Sequence, residues 1–185
     1  GASIPHLHFQ GSDSPLPIES IGEDLLFGGK GYSVSRLDEK WPNVVYVVRG
    51  EDEAVAEFIM GMINELATRF PGEENKEKRA FNILFTRDEQ GELKTYFIPR
   101  RKEKPSNFAN NFGFCEMCGL TVNEKTKDFD SANEESIYKA LSECGYAQDD
   151  SELIKEFLES VTAGEYVESA RRIVHSQLVS ELYSK

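Results

Sequence analysis

Two of the three histidines in this chain stand one residue apart near its start, and an amide side chain follows two residues later. The segment reads His6-Leu7-His8-Phe9-Gln10. We predict a strand over residues 4–10, in which alternate side chains share one face. The two imidazoles and the amide then line one surface at intervals of about 7 Å, while Leu7 and Phe9 point into a core. Few roles other than chemistry require such a polar row on an apolar-backed strand.

The residue types in this row suit phosphoryl transfer. A neutral imidazole is a good nucleophile toward phosphorus near neutral pH, and a covalent intermediate divides one transfer into two easier steps. The Gln10 amide can donate to a phosphoryl oxygen in the transition state. His6 can orient the site, donate a hydrogen bond or bind a metal. The alternative is that both histidines are ordinary surface or core residues of a strand.

A basic run, Arg100-Arg101-Lys102, with Lys104 close behind, follows a predicted strand in an otherwise acidic chain. Arg100 and Arg101 are therefore candidate substrate-binding residues, which would attract phosphate or an anionic sugar phosphate. The alternative is a solvated run of charge with no ligand.

The spacing Cys115-x-x-Cys118 is compatible with half of a zinc site or with a redox pair. No second pair of this kind and no neighbouring histidine completes a tetrahedral ligand set. We predict a strand over residues 112–122, in which positions i and i+3 face opposite sides unless the chain turns there. Both cysteines are accordingly interpreted as small buried residues, and His175, among helical residues, is interpreted as structural.

The composition indicates an acidic globular protein. Its 185 residues carry a formal net charge of −12, and the hydrophobic fraction of 39% suits one sizeable domain or one domain with a helical appendage. Such a charge disfavours non-specific binding to nucleic acid or to anionic membranes. The odd count of three cysteines predicts reduced thiols, and the sequence shows no signal-peptide pattern or apolar run of membrane-spanning length. We therefore expect a cytoplasmic protein with neither nucleic-acid nor membrane partners.

The pattern of elements predicts an α+β fold. We expect a loop over residues 11–31, because this stretch is rich in Gly, Ser, Pro and Asp. Further elements follow from residue alternation and helical periodicity. The strands are predicted at 32–37, 43–49, 80–87, 92–99 and 112–122, and the helices at 52–70, 132–143, 150–162 and 165–183.

The start of the chain resembles the active-site segment of a known enzyme family. His6 to Gln10, preceded by Gly1-Ala2-Ser3 and followed by Leu16-Pro17-Ile18-Glu19, is similar to the corresponding segment of the GDP-L-galactose and GDP-glucose phosphorylases. These enzymes share a branch of the histidine-triad (HIT) superfamily with galactose-1-phosphate uridylyltransferase and diadenosine tetraphosphate phosphorylase. Their motif is H-x-H-x-Q, with Gln in place of the third histidine. The similarity is looser over the hairpin at 81–101 and over residues 116–119, and it suggests a bacterial member of this branch.

The resemblance implies both a fold and a mechanism. The fold is a HIT-like antiparallel sheet with packed helices and a helical C-terminal segment. His8 is the nucleophile toward the α-phosphate of a nucleoside diphosphate sugar, and it holds a nucleotidyl group that phosphate or a sugar phosphate then accepts. Gln10 contacts the transferred phosphoryl group. His6 occupies a position that binds a structural zinc in some relatives, so zinc stays open and no other cofactor is expected.

The resemblance also predicts how the chain is organised. Members of the branch contain two HIT-like repeats packed as a pseudo-dimer, with the motif near the end of the first repeat. We expect residues 1–20 to be the active-site strand and loop of that first repeat, 21–128 to be the second repeat, and 129–185 to be a helical segment. The missing N-terminal half would be a partner of this chain, a homodimer stays open, and the piece alone is expected to show little or no turnover.

Two other function classes compete with this interpretation. A metal-dependent, cupin-like H-x-H site needs a carboxylate three or four residues after the second histidine and another histidine later. Here Asp13 is five residues on, Glu19 is eleven on, and only His175 remains. The other class is a non-catalytic HIT-like binding module that docks through the acidic helical segment over residues 131–185. The base, the sugar and the acceptor are not determined by the sequence.

Overall fold

The computed structural model describes residues 11–69, 80–121 and 126–147 of the chain. The strand predicted at 4–10 and the helices predicted at 150–162 and 165–183 lie outside these residues. The predicted division at residues 20 and 128 is not tested and stays a prediction.

The described chain is built on one antiparallel sheet. Five strands pair in the order β1-β2-β3-β5-β4, and every pairing is antiparallel. This arrangement confirms the α+β class. The strands are β1 Glu23–Gly29, β2 Tyr32–Leu37, β3 Tyr46–Gly50, β4 Ala80–Arg87 and β5 Leu93–Arg100.

Helices cover the sheet and its connections. A short 3-10 helix precedes β1, and the longest described helix, α1, links β3 to β4. Three shorter helices follow the sheet in the part of the chain that the structure describes. The helices are the 3-10 helix Pro17–Ser20, α1 Asp52–Arg69, α2 Phe114–Met117, α3 Thr126–Ser131 and α4 Glu134–Cys144.

The sheet buries both faces because its central strands are apolar at successive positions. On one face, Val34, Val48 and Phe97 belong to a core cluster with residues of α1. On the other face, Val47 and Ile98 belong to a second cluster, formed with the 3-10 helix, α2 and α4. The near-continuous apolar run of β3 thus reflects burial on both sides.

Much of the predicted element order is confirmed. Strand β2 has the predicted bounds, α1 and the β4–β5 hairpin match to within one residue, and α4 lies where a helix was predicted at 132–143. Helix α4 begins where the Asn133 side chain accepts a hydrogen bond from the Ser136 amide. The strand predicted at 43–49 begins later, at Tyr46, and ends at Gly50.

The loop predicted over residues 11–31 is partly wrong. It contains the 3-10 helix and β1. Strand β1 pairs with one neighbour only, and its side chains are largely exposed, so its burial pattern gives little alternation to detect. Gly31, with φ of +82°, closes the tight turn from β1 to β2, a conformation that glycine adopts without strain.

The strand predicted over 112–122 is wrong, because the chain forms helix α2 there. The Glu116 carboxylate accepts a hydrogen bond from the Gly113 amide at 2.8 Å, which caps the start of the turn. Gly119, with φ of +91°, follows the end of the helix. These local signals end the extended conformation that was predicted for this stretch. Helix α3 was not predicted either.

Candidate functional site

The candidate catalytic residues His6, His8 and Gln10, and also His175, lie outside the described residues. The chain that follows the motif is described from Gly11 onward. Leu16 and Ile18 are buried in the core cluster shared with α2 and α4. The Ile18 amide also donates to the Cys118 carbonyl at 3.1 Å. The segment that leaves the motif is therefore anchored to α2 within a few residues.

Close packing at Gly119 supports this anchor. A Cβ atom at this position would lie 2.9 Å from Pro17 Cβ and 3.0 Å from the Trp41 ring. Glycine thus permits both the positive φ and the close approach of the 3-10 helix. On the other side of the helix start, Glu19 accepts a hydrogen bond from the Leu16 amide at 2.7 Å.

Arg100, a predicted substrate-binding residue, is the last residue of β5 and is only 2% exposed. Its Nη2 atom donates to the Phe112 carbonyl and, at 3.1 Å, to the Lys102 carbonyl. Burial lowers the pKa of the guanidinium, and the neighbouring Cys144 opposes that effect. Arg100 thus holds the segment over residues 101–113 against the sheet. Its proposed contact with a substrate stays a prediction.

Arg101, the second predicted substrate-binding residue, lies nearer the surface. Its amide donates to the Cys144 carbonyl at 2.9 Å, and its guanidinium carbon lies 5.8 Å from the centre of the Tyr146 ring. The side chain is partly buried. The predicted role of Arg101 with an anionic ligand is compatible with this position and remains untested.

Lys102 is part of a clamp between the basic run and α4. Its Nζ atom lies 2.9 Å from the Glu143 carboxylate, which also accepts from the Ser106 hydroxyl at 2.6 Å and the Ser106 amide at 2.8 Å. These bonds, the Ser106 hydroxyl first, lower the pKa of Glu143 to about 2. Part of the positive charge of the basic run is therefore neutralised by an ion pair within the fold.

A second charged group, which sequence reasoning missed, lies on the sheet face opposite α1. Arg49 on β3 donates to Glu23 on β1 through Nε at 3.2 Å and Nη2 at 2.9 Å. Lys94 on β5 reaches the same carboxylate at 2.6 Å. We call Glu23, Arg49 and Lys94 the sheet ion cluster. Its members come from three strands, so the strand order would have been needed to find it.

Small residues on β2 make room for the sheet ion cluster. Strand β2 lies between β1 and β3. On the cluster's face it carries Ser33, paired with Arg49, and Ser35, paired with Val47. The Glu23 side chain can therefore cross β2 to reach both cations. The alternation of serine with larger residues in β2 is the sequence signal for this crossing.

Tyr96 lies beneath the cluster. Lys94 Nζ is 4.5 Å from the centre of its ring, a cation–π distance. Tyr96 is fully buried, and its hydroxyl has no hydrogen-bond partner among the residues that the structure describes. Burial first, and then the negative charge of Glu23, raise the pKa of this hydroxyl. Tyr96 thus serves as a buried platform for the ion cluster.

Cys115 lies on the single turn of α2 and Cys118 caps its C-terminal end, so the strand geometry expected for the pair is wrong. Residues three apart on a helical turn are neighbours on one side. Cys118 is fully buried and Cys115 partly so, and both are free thiols. Burial, followed by the proximity of Cys115, raises the pKa of Cys118 to about 12. Burial and Glu116 raise the pKa of Cys115.

Within the three described stretches, no group of three or more His, Cys, Asp or Glu side chains is arranged to hold a metal ion. Nor does any helix there have the length and apolar character needed to cross a membrane. A shallow depression of about 590 Å³ lies along the exposed side of α4. It is lined by Glu134, Glu135, Tyr138, Lys139 and Ser142.

Comparisons with protein-family models, with curated proteins and with solved structures found no match to this chain. The resemblance to the HIT superfamily therefore rests on the residues that carry it.

Proposed function

We propose that this protein is a nucleotidyltransferase or phosphorylase that acts on a nucleoside diphosphate sugar through a nucleotidyl-histidine intermediate on His8. The observation that carries the proposal is the H-x-H-x-Q spacing of His6, His8 and Gln10. The α+β fold is compatible with it. The segment that follows the motif is anchored in the core at Leu16 and Ile18, which supports the proposal because an active site needs fixed positions for its residues.

In the first half of the proposed reaction, a neutral His8 imidazole attacks the α-phosphorus of the nucleoside diphosphate sugar. A phosphorus–nitrogen bond forms as the bond to the bridging oxygen breaks, and that oxygen leaves with its electron pair as the sugar 1-phosphate. Gln10 donates its amide to a non-bridging oxygen of the transferred group, where charge develops. His6 orients the nucleophile.

In the second half, an oxygen of inorganic phosphate or of a sugar phosphate attacks the same phosphorus. The phosphorus–nitrogen bond breaks, and the electron pair returns to His8, which regains its starting state. With phosphate as acceptor, the products are a nucleoside diphosphate and a sugar 1-phosphate. Arg101, near the surface, is the better placed of the two predicted arginines to meet such an anion.

The decisive experiment is the capture of the covalent intermediate. Full-length protein is incubated without acceptor in GDP-, UDP- or ADP-glucose that carries a radiolabel in the α-phosphate. We expect an adduct that is stable to base and labile to acid, as a phosphorus–nitrogen bond requires. His8→Ala should abolish the adduct, whereas His175→Ala, which removes the histidine far from the motif, should retain it.

Two results would contradict the proposal. One is the absence of an adduct with all three nucleotide sugars in a protein that gives the circular dichroism spectrum of a folded α+β chain. The other is a His8→Ala variant that labels as fully as the wild type. The nucleotide sugar that labels the protein most rapidly identifies the nucleoside base that the site prefers.

A further inference from the structure

The turn of α2 brings two cysteines together. Cys115 and Cys118 are separated by three positions on one helical turn, a spacing of about 5 Å between Cα atoms, which lies within the range that disulfides span. The Cys118 amide also donates to the Cys115 carbonyl at 3.1 Å, which closes the turn between the two residues.

We propose that Cys115 and Cys118 form a reversible dithiol–disulfide pair that exchanges with low-molecular-weight disulfides of the glutathione type. The inference is independent of the proposed transferase function. The third cysteine, Cys144, is fully buried on α4 beside Arg100 and is not part of the pair.

The unequal exposure of the two cysteines assigns each a step. Cys115 is only partly buried and can reach an external disulfide, whereas Cys118 has no exposed surface. The Cys115 thiolate attacks one sulfur of oxidised glutathione, which forms a mixed disulfide and releases one glutathione thiolate. The Cys118 thiolate then attacks the Cys115 sulfur and displaces the second. Two protein thiols are oxidised, one glutathione disulfide is reduced to two thiols, and the two protein protons pass to the leaving thiolates.

The surroundings favour a stable disulfide that forms slowly. Burial and the nearby carboxylates of Glu116 and Glu19 raise the pKa of Cys118, so little thiolate is present at neutral pH. Pairs that exchange readily and oxidise other proteins have a stabilised thiolate in the reduced state. This pair has no such stabilised thiolate, so we expect its disulfide to be reduced only in the more reducing glutathione buffers.

The pair also lies at a structural junction. The Cys118 carbonyl accepts a hydrogen bond from the Ile18 amide, and the next residue, Gly119, packs against Pro17 and Trp41. A disulfide here would covalently close the turn to which the segment after the histidine motif is anchored.

The test is equilibration of the chain in glutathione buffers that range from reduced to oxidised. The reaction is then quenched with acid, the remaining thiols are alkylated, and the products are mapped by mass spectrometry. We expect wild type and the matched control Cys144→Ser to lose two hydrogens through a Cys115–Cys118 link, and to recover them in reduced buffer. Cys115→Ser and Cys118→Ala should lose this species completely.

Three results would overturn the proposal. The first is wild-type protein that stays fully reduced in the most oxidised buffer after prolonged incubation. The second is a link that joins Cys144 to either partner. The third is one equivalent of zinc bound by the wild type and lost from Cys115→Ser, because the thiolates would then be metal ligands. Circular dichroism of each variant reports folding, and if Cys118→Ala fails to fold, the partly exposed Cys115→Ser still decides the outcome.

Discussion

Three consecutive cations, Arg100, Arg101 and Lys102, lie in three different environments. The first is buried and donates to main-chain carbonyls, the second lies against an aromatic ring, and the third pairs with Glu143. The Nη2 atom of Arg100 serves both carbonyls, whereas its Nε and Nη1 atoms are buried with no hydrogen-bond partner among the described residues. Arg100 therefore acts on the fold, and a substitution should be felt in stability.

Arg100→Met is expected to destabilise the protein by about 2–3 kcal/mol, because the change keeps much of the side-chain volume but leaves buried carbonyls without their donor. Arg101→Met should lower the free energy of unfolding by less than about 1 kcal/mol, the range of an exposed cation–π contact. Urea denaturation followed by circular dichroism measures both. Equal losses in the two variants would show that Arg100 has no special role in the interior.

The sequence shows that this run is strongly basic, but it does not show which of the three side chains points into the core. The predicted strand ended at residue 99, whereas β5 includes Arg100. In a strand with this extra residue, Arg100 alternates onto the same face as Ile98 and Tyr96, both of which are fully buried. One residue at the strand boundary thus separates a surface cation from a buried one.

At the scale of elements, local patterns were reliable where one periodicity dominates. Helix α1 and the β4–β5 hairpin have long, regular apolar patterns, and both were predicted. Helix α2 was missed because it is a single turn, in which four residues cannot establish a period. Its position follows instead from the Gly113–Glu116 cap and from contacts with the 3-10 helix. Those contacts join residues that are distant in the sequence, so a local pattern does not reveal them.

The clamp between the segment after β5 and α4 should respond to acid. The pKa of Glu143 is about 2 in the folded protein and 4.5 for an ordinary glutamate, so its bonds stabilise the fold above pH 4.5. That stabilisation is lost as the pH falls from 4.5 toward 2. Glu143→Gln should therefore lower the free energy of unfolding most above this window, and the difference from wild type should shrink within it. Urea titrations at a series of pH values measure it.

Glu89→Gln is the matched control for this experiment. Glu89 is an exposed carboxylate in the turn between β4 and β5. Because this side chain is exposed, its replacement should leave the free energy of unfolding unchanged within error. A constant difference between Glu143→Gln and wild type from neutral pH to pH 2 would contradict the expected linkage, because a bond to the charged form must disappear on protonation.

At the scale of the whole molecule, the strand order decides which charges meet. Helix α1 links β3 to β4, and β4 then returns as β5 to the side of β3, so β5 rather than β4 becomes the inner strand. Lys94 is thereby placed beside Arg49, with which it is paired in register. The strands of Arg49 and Lys94 were predicted but that of Glu23 was not, and hydrophobic periodicity carries no information on which strands are adjacent. The sheet ion cluster was therefore beyond sequence reasoning.

The sheet ion cluster provides the sharpest test of this arrangement. One carboxylate, Glu23, serves two cations, and the Lys94 and Glu23 side chains are only 11% and 13% exposed. Glu23→Gln keeps the shape of the side chain but removes its charge, which leaves Arg49 and Lys94 close together and poorly solvated. Because an uncompensated, partly buried charge is more costly than the loss of a surface pair, we expect a destabilisation of about 2 kcal/mol in urea denaturation.

A second ion pair, between Arg87 and Asp52, is exposed to solvent and provides the contrast. Arg87 and Asp52 are 2.7 Å apart, yet their side chains are 53% and 65% exposed. Water and salt screen such a pair, so Asp52→Asn should leave the free energy of unfolding unchanged within error, although its distance is as short as those in the cluster. If Asp52→Asn were to destabilise the protein as much as Glu23→Gln, burial would not govern the energetics of these charges. If Glu23→Gln were silent, the three strands would hold together without their shared carboxylate.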